Sequence, residues 1–126
     1  MKQIIYEDCN NNSLFLKKIF SRIQELSNEE INWKISNLEF IPLDKGDFYN
    51  GVPSQEMEKV YNFQKKALEE YTINISHSFF IELLGNIKTI YEGTFISVIQ
   101  EEQMKIKVFD GDIIEIEGDI ENMIEI

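Results

Sequence analysis

Met104-Lys105-Ile106-Lys107-Val108-Phe109-Asp110-Gly111-Asp112-Ile113-Ile114-Glu115-Ile116-Glu117 is the stretch that decides the fold. Folded back about a three-residue Asp110-Gly111-Asp112 loop, it sets Val108 opposite Ile114 and Ile106 opposite Ile116. The same register sets Lys107 opposite Glu115 and Lys105 opposite Glu117 on the other face. An opposite-charge pair across two strands stabilises by only about 0.2–1 kcal/mol. The weight lies in the agreement. A slip of one residue turns every side chain to the wrong face, so a register that satisfies both faces is specified.

Upstream, the two-residue period continues. A turn near Glu101-Glu102 sets Ile96 against Ile106 and Val98 against Met104. Before that, Ile73, Ile75, His77, Phe79, Ile81 and Leu83 share one parity, with polar Thr72, Asn74, Ser76, Ser78 and Glu82 between them. Gly85-Asn86 suits a two-residue hairpin turn. It places Ile81 opposite Ile90, Ile75 opposite Ile96 and Ile73 opposite Val98. Phe79, Phe80, Leu83, Leu84, Ile87, Ile90 and Tyr91 also fit a helical stripe. The β-branched residues favour the strand.

Lys2–Tyr6 reads as a first strand, broken by Asn10-Asn11-Asn12-Ser13. Asn12 or Ser13 can cap a helix from Leu14 to about Leu26, with Leu16, Ile19, Phe20, Ile23 and Leu26 on one face. Ile31, Trp33 and Ile35 alternate, then Leu38 and Phe40 continue in the other parity, which a bulge at Ser36-Asn37 repairs. Leu43–Val52 reads as an exposed loop. A second helix runs from the Pro53 turn to about Glu70, with Met57, Val60, Tyr61, Leu68 and Tyr71 on its apolar face and Phe63 and Ala67 at the edge. Asp119–Ile126 reads as a short edge strand or a helical turn. The expected fold is α+β, an antiparallel meander of four or more strands with two helices packed on one face. Residues 1–126 make a single domain, since no repeat or Pro/Gly/Ser linker interrupts them.

The charge narrows the function classes. The chain holds 23 acids and 12 bases, a formal charge of -11. Phosphate binding needs a basic surface, so direct binding to nucleic acid or to an anionic membrane is disfavoured. No run approaches the roughly 20 apolar residues of a spanning helix. Met1–Asp8 lacks the long apolar region of a secretory signal. One cysteine forms no internal disulfide, which fits a reducing cytosol. Asp110–Ile126 carries seven acids and no base among seven isoleucines and methionines. That mixture points to an ordered acidic surface, which raises encounter rates with a basic partner. Solubility and edge protection are the alternative reading.

The constellations of catalysis are sparse. His77 is the single histidine, and its place on the apolar face points to a core side chain. Cys9 lies beside a turn. A zinc site takes four protein ligands, or three and a water. Asp110, Asp112 and Glu115 crowd a turn without the ligand spacing of a calcium loop. The six glycines are scattered and make no phosphate cradle. No catalytic residue, metal or cofactor is expected.

Small size, acid excess, helix-plus-meander layout and a usage in which Ile, Asn and Lys make up about a third of the chain together resemble the immunity proteins of bacterial polymorphic-toxin and contact-dependent growth inhibition systems. The resemblance implies a cognate basic toxin domain as a one-to-one partner in the bacterial cytosol, with a nuclease as the commonest case. Two surfaces are candidates for contact. One is the acidic C-terminal region with Asp110, Asp112, Glu115, Glu117 and Asp119. The other is the Asp44–Tyr49 loop, where Phe48 and Tyr49 sit beside Asp44 and Asp47 and suit an interface anchor. A phage-type mimic of nucleic acid, a small-ligand binder or enzyme using His77 with Glu82 or Glu92, and an assembly subunit pairing through a sheet edge are the competing readings.

Overall fold

The computed structural model describes residues 2–43, 48–49, 52–53 and 55–118. Its last third holds three antiparallel strands, β6 (Ile87–Ile99), β7 (Glu102–Phe109) and β8 (Ile113–Gly118). β7 and β8 pair in the expected register, with Val108 opposite Ile114, Ile106 opposite Ile116, Lys107 opposite Glu115 and Lys105 opposite Glu117. Before them come β1 (Lys2–Tyr6), α1 (Ser13–Gln24), β2 (Asn32–Pro42), β3 (Phe48–Tyr49), β4 (Val52–Pro53), α2 (Gln55–Glu69), β5 (Thr72–Ser76) and α3 (His77–Leu84). The main sheet has six strands in the order β1-β8-β7-β6-β2-β5, every neighbouring pair antiparallel. The fold class is α+β as expected, with a third helix. α1, α2 and α3 contribute Phe20, Val60, Phe63, Phe80 and Leu83 to one core against the inward sheet face.

Between β6 and β7 the register differs from expectation by one residue. Phe95 faces Ile106 and Ser97 faces Met104. The turn is Gln100-Glu101, both at positive φ, 53° and 66°. Two consecutive positive φ values are the hallmark of the primed turns that match strand twist. β6 carries apolar residues in both parities, so alternation alone does not choose between them. Burial of Phe95 under Phe20 and Phe80, with ring centroids 5.6 and 5.2 Å away, decides it. Ile96 and Val98 turn outward, and Val98 is 68% exposed.

The long strand expected over residues 71–83 divides in two. β5 stops at Ser76, whose side chain caps α3 by accepting from the Phe79 N–H at 3.3 Å. His77, Phe80, Leu83 and Leu84 then fall on one helical face, and all four are buried. Gly85-Asn86 follows the helix instead of closing a hairpin, and the Asn86 N–H bonds the Leu83 carbonyl. β5 pairs with β2, Ile73 opposite Ile35, so the expected Ile81–Ile90, Ile75–Ile96 and Ile73–Val98 pairs do not form. Packing of a helical apolar stripe outweighs the β-branched preference here.

The first half follows its pattern closely. Leu16, Ile19, Phe20 and Ile23 are buried along α1, and Leu26 packs against the core beyond its end. The β2 bulge falls where the parity changes. Ser36 faces Thr94, Asn37 takes φ 54°, and Glu39 faces Glu92. Ile31, Trp33, Ile35, Leu38 and Phe40 are all buried as a result. Pro53 ends β4 instead of opening α2, and β3 and β4 form a two-residue ladder within the expected loop. Along α2 the buried stripe is Met57, Val60 and Phe63. Leu68 and Tyr71, expected on that stripe, face solvent at 76% and 75% exposure.

Asn12 occupies the α1 cap position but caps nothing with its side chain. Its amide reaches β6 instead. Nδ2 donates to the Ile90 carbonyl at 2.8 Å and to the Gly111 carbonyl at 3.3 Å, and Oδ1 accepts from the Ile90 N–H at 2.9 Å. β7 pairs with β6 only from Gly93 onward. Asn12 therefore does for Ile90 what a neighbouring strand's peptide group does elsewhere.

Candidate partner-binding cleft

β5 pairs with β2 only as far as Ser36. Past the bulge, β2 pairs with β6 alone, and the second half of α2 lies against its free edge. The Gln64 amide donates to the Phe40 carbonyl at 3.0 Å, and the Phe63 and Phe40 rings stack at 6.0 Å. These contacts leave a cleft of about 590 Å³ lined by Asn37, Leu38, Glu39, Ala67, Leu68, Glu69, Glu70, Tyr71 and Glu92.

Four of those residues are carboxylates and none is a base. Lys66 stands beside Glu70 at 3.9 Å, with both side chains more than half exposed. An exposed pair of this kind is worth little and leaves most of the negative field intact. Glu39 and Glu92 face each other directly across two strands. Like charges in that position destabilise the sheet. Glu92 also accepts the Asp110 N–H at 3.3 Å, which brings the β7–β8 turn to the rim. Leu68 and Tyr71 add apolar and aromatic surface beside the acids. Electrostatic attraction with exposed anchors beside it is what a cationic protein surface needs.

The expected contact residues divide between places. Asp110 joins the cleft rim through Glu92. Asp112 turns toward Cys9, whose N–H bonds the Asp112 carbonyl at 2.8 Å. Glu115 and Glu117 lie on the uncovered sheet face, opposite Lys107 and Lys105. A hydrogen bond between those two carboxyls holds Glu115 below and Glu117 above the ordinary range. Asp44, Asp47 and Asp119 lie outside the described residues. Phe48 and Tyr49 form β3, opposite Pro53 and Val52. The cleft itself was not the surface expected. Its strongest sequence signal is Leu68, which falls off the 57-60-63-67 spacing; Tyr71 keeps that spacing but lies beyond the end of α2 at Glu69. Glu39 meets Glu92 only through a long-range register.

The groups of the enzymatic reading stand apart. His77 is 1% exposed and its Nδ1 accepts the Trp33 indole N–H at 2.9 Å. Nδ1 is therefore the unprotonated nitrogen, and burial lowers the imidazole pKa against weaker opposing effects from the Phe20 backbone and Glu30. Glu82 pairs with Lys59 at 3.1 Å, while Glu92 lines the cleft. The Cys9 thiol is pushed up by burial and by Asp8 and Asp112, which opposes thiolate formation. Among the described residues, no three His, Cys, Asp or Glu side chains are grouped to hold a metal ion.

Comparison with protein-family models, curated proteins and solved structures finds no match for this chain.

Proposed function

We propose that this protein is an immunity-type inhibitor that binds a basic protein toxin domain one-to-one in the bacterial cytosol and neutralises it. The observation that carries the reading is the cleft at the β2 bulge, where Glu39, Glu69, Glu70 and Glu92 surround exposed Leu68 and Tyr71. A nuclease domain is the fitting target. Its substrate groove is basic because it binds phosphates, and the carboxylates of Glu39 and Glu92 on the sheet, with Glu69 and Glu70 at the end of α2, can occupy those positions. The net charge of -11 adds long-range steering to the local fit. No helix of the described residues is long and apolar enough to cross a membrane.

The test is capture of the partner from the native host, followed by affinity measurement against ionic strength. The reading expects one basic protein at equal stoichiometry, with affinity falling as salt rises. It also expects Tyr71→Ala to weaken binding by at least about tenfold, the loss of an anchor worth more than about 1.4 kcal/mol. Partner affinity that ignores both salt and Tyr71 places the contact elsewhere.

A further inference from the structure

The three helices cover one face of the sheet, and the other carries a patterned row of charges. On that open face β7 presents Lys105 and Lys107, and its neighbour β8 presents Glu117 and Glu115 in register. Next to β8, β1 places Gln3 opposite Glu117 and Ile5 opposite Glu115. Next to β7, β6 places Ile96 opposite Lys105 and Thr94 opposite Lys107. Phe109 faces Ile113 one step further along, and the Lys107 ammonium stands 5.3 Å from the Phe109 ring centre. Lys34 adds another base, opposite Ile96. Three bases, Lys34, Lys105 and Lys107, thus stand against four acids, Glu115 and Glu117 on β8 and Glu39 and Glu92 at the β2 bulge, so this face is far less acidic than a chain of charge -11 as a whole. It also exposes Ile5 and Val98.

We infer that this open face binds a second copy of the same chain, sheet against sheet, about a two-fold axis running along the strands between β7 and β8. Rotation about that axis lays β7 of one copy over β8 of the other. Lys105 then meets Glu117 of the second copy, and Lys107 meets its Glu115. The operation is isologous, so each pair occurs twice. Phe109 lies over Ile113, and β6 with Ile96 lies over β1. A two-fold axis across the strands would instead lay β7 over β7 and set lysine over lysine, so the charge pattern selects the axis along the strands. The acids Glu115 and Glu117 crowd one another on β8, and opposing lysines relieve that crowding. This less acidic face is also where two acidic chains approach with least repulsion. About this axis β6, β7, β8 and β1 overlap their counterparts, four strands spaced about 4.8 Å apart that span about 14 Å, so the contact is smaller than a standard interface of roughly 800 Å² per partner and the dimer is a weak one. The Lys/Glu columns on β7 and β8 share no residue with the cleft lining, so the dimer does not rest on the proposed function.

Sedimentation equilibrium of the full chain tests this against the 14.9 kDa monomer mass. The wild type is expected to reach twice that mass at micromolar to millimolar concentration, less readily as salt rises. Lys105→Glu/Lys107→Glu makes both columns acidic, and Glu115→Lys/Glu117→Lys makes both basic. Each alone is expected to stay monomeric. Mixed in equal amounts, they restore both sets of cross-copy pairs and the dimer mass. A monomeric wild type overturns the inference, as do variants that dimerise alone or folded variants that fail to associate on mixing. Where circular dichroism shows either variant unfolded, the fourfold swap Lys105→Glu/Lys107→Glu/Glu115→Lys/Glu117→Lys decides. It keeps opposite charges across β7 and β8, so a dimer upholds the inference and a monomer overturns it.

Discussion

Truncating Asn12 to alanine is the sharpest probe of how the two halves are joined. The Asn12 side chain is 99% hidden from solvent, with a relative exposure of 1%. It makes two good bonds to the Ile90 backbone, at 2.8 and 2.9 Å, and a longer one to the Gly111 carbonyl at 3.3 Å. A net hydrogen bond is worth about 1 kcal/mol, and a buried backbone group left without a partner costs about 1–3 kcal/mol more. Water entering the vacated space recovers part of that cost. The balance is about 3 kcal/mol of lost stability, or a Tm lower by roughly 10 °C for a domain of this size. Urea unfolding followed by circular dichroism gives the number directly. Asn12→Asp keeps an acceptor for the Ile90 N–H but turns a carboxylate toward two carbonyls, so its loss is expected to match or exceed that of alanine. An Asn12→Ala protein within about 0.5 kcal/mol of wild type would show that the amide bridge does not hold β6 to the β7–β8 turn.

Three further outcomes follow from single contacts. Gly111 has φ +74°, and a Cβ there would stand 2.7 Å from Tyr91 Cδ1. Gly111→Ala should destabilise by about 1–3 kcal/mol, and adding Tyr91→Ala should recover the clash but not the backbone strain, as a double-mutant cycle in urea will read. His77 has its pKa lowered from 6.5 by burial, and protonating Nδ1 would set two donors against each other at the Trp33 indole. The unfolded chain then takes up the proton first, so stability is full above pH 6.5 and declines as pH falls through it toward the lower folded value. Urea midpoints from neutral to mildly acid pH should show this decline, and His77→Gln should flatten it. A wild-type midpoint that does not move with pH contradicts it. Glu39→Gln removes a like-charge pair, so stability should rise by a few tenths of a kcal/mol while affinity for a basic partner drops.

The most legible parts of the sequence were those where two faces had to agree. The β7–β8 pairing was fixed by apolar residues on one side and Lys/Glu pairs on the other. The β2 bulge was visible because the parity change from Ile35 to Leu38 has few other repairs. Where one pattern served two periods, the reading failed. Ile81 and Leu83 fit a strand, but Phe80, Leu83 and Leu84 fit a helix, and the choice depends on whether α1 offers Phe20 to pack against. β6 could present either Phe95 or Ile96 inward for the same reason. The cleft was hidden because it joins Glu39, Tyr71 and Glu92, which only the assembled sheet edge and α2 bring together.

The central claim is that the carboxylates at the β2 bulge, with Tyr71 beside them, engage a positively charged protein. Its most direct measurement is the dissociation constant of the captured partner, at low and high salt, for wild type and for a Glu39→Gln/Tyr71→Ala variant. The account predicts a basic partner, weaker binding by wild type at high salt, and a large loss in the variant already at low salt. Equal affinities for both proteins at both salt concentrations would contradict it.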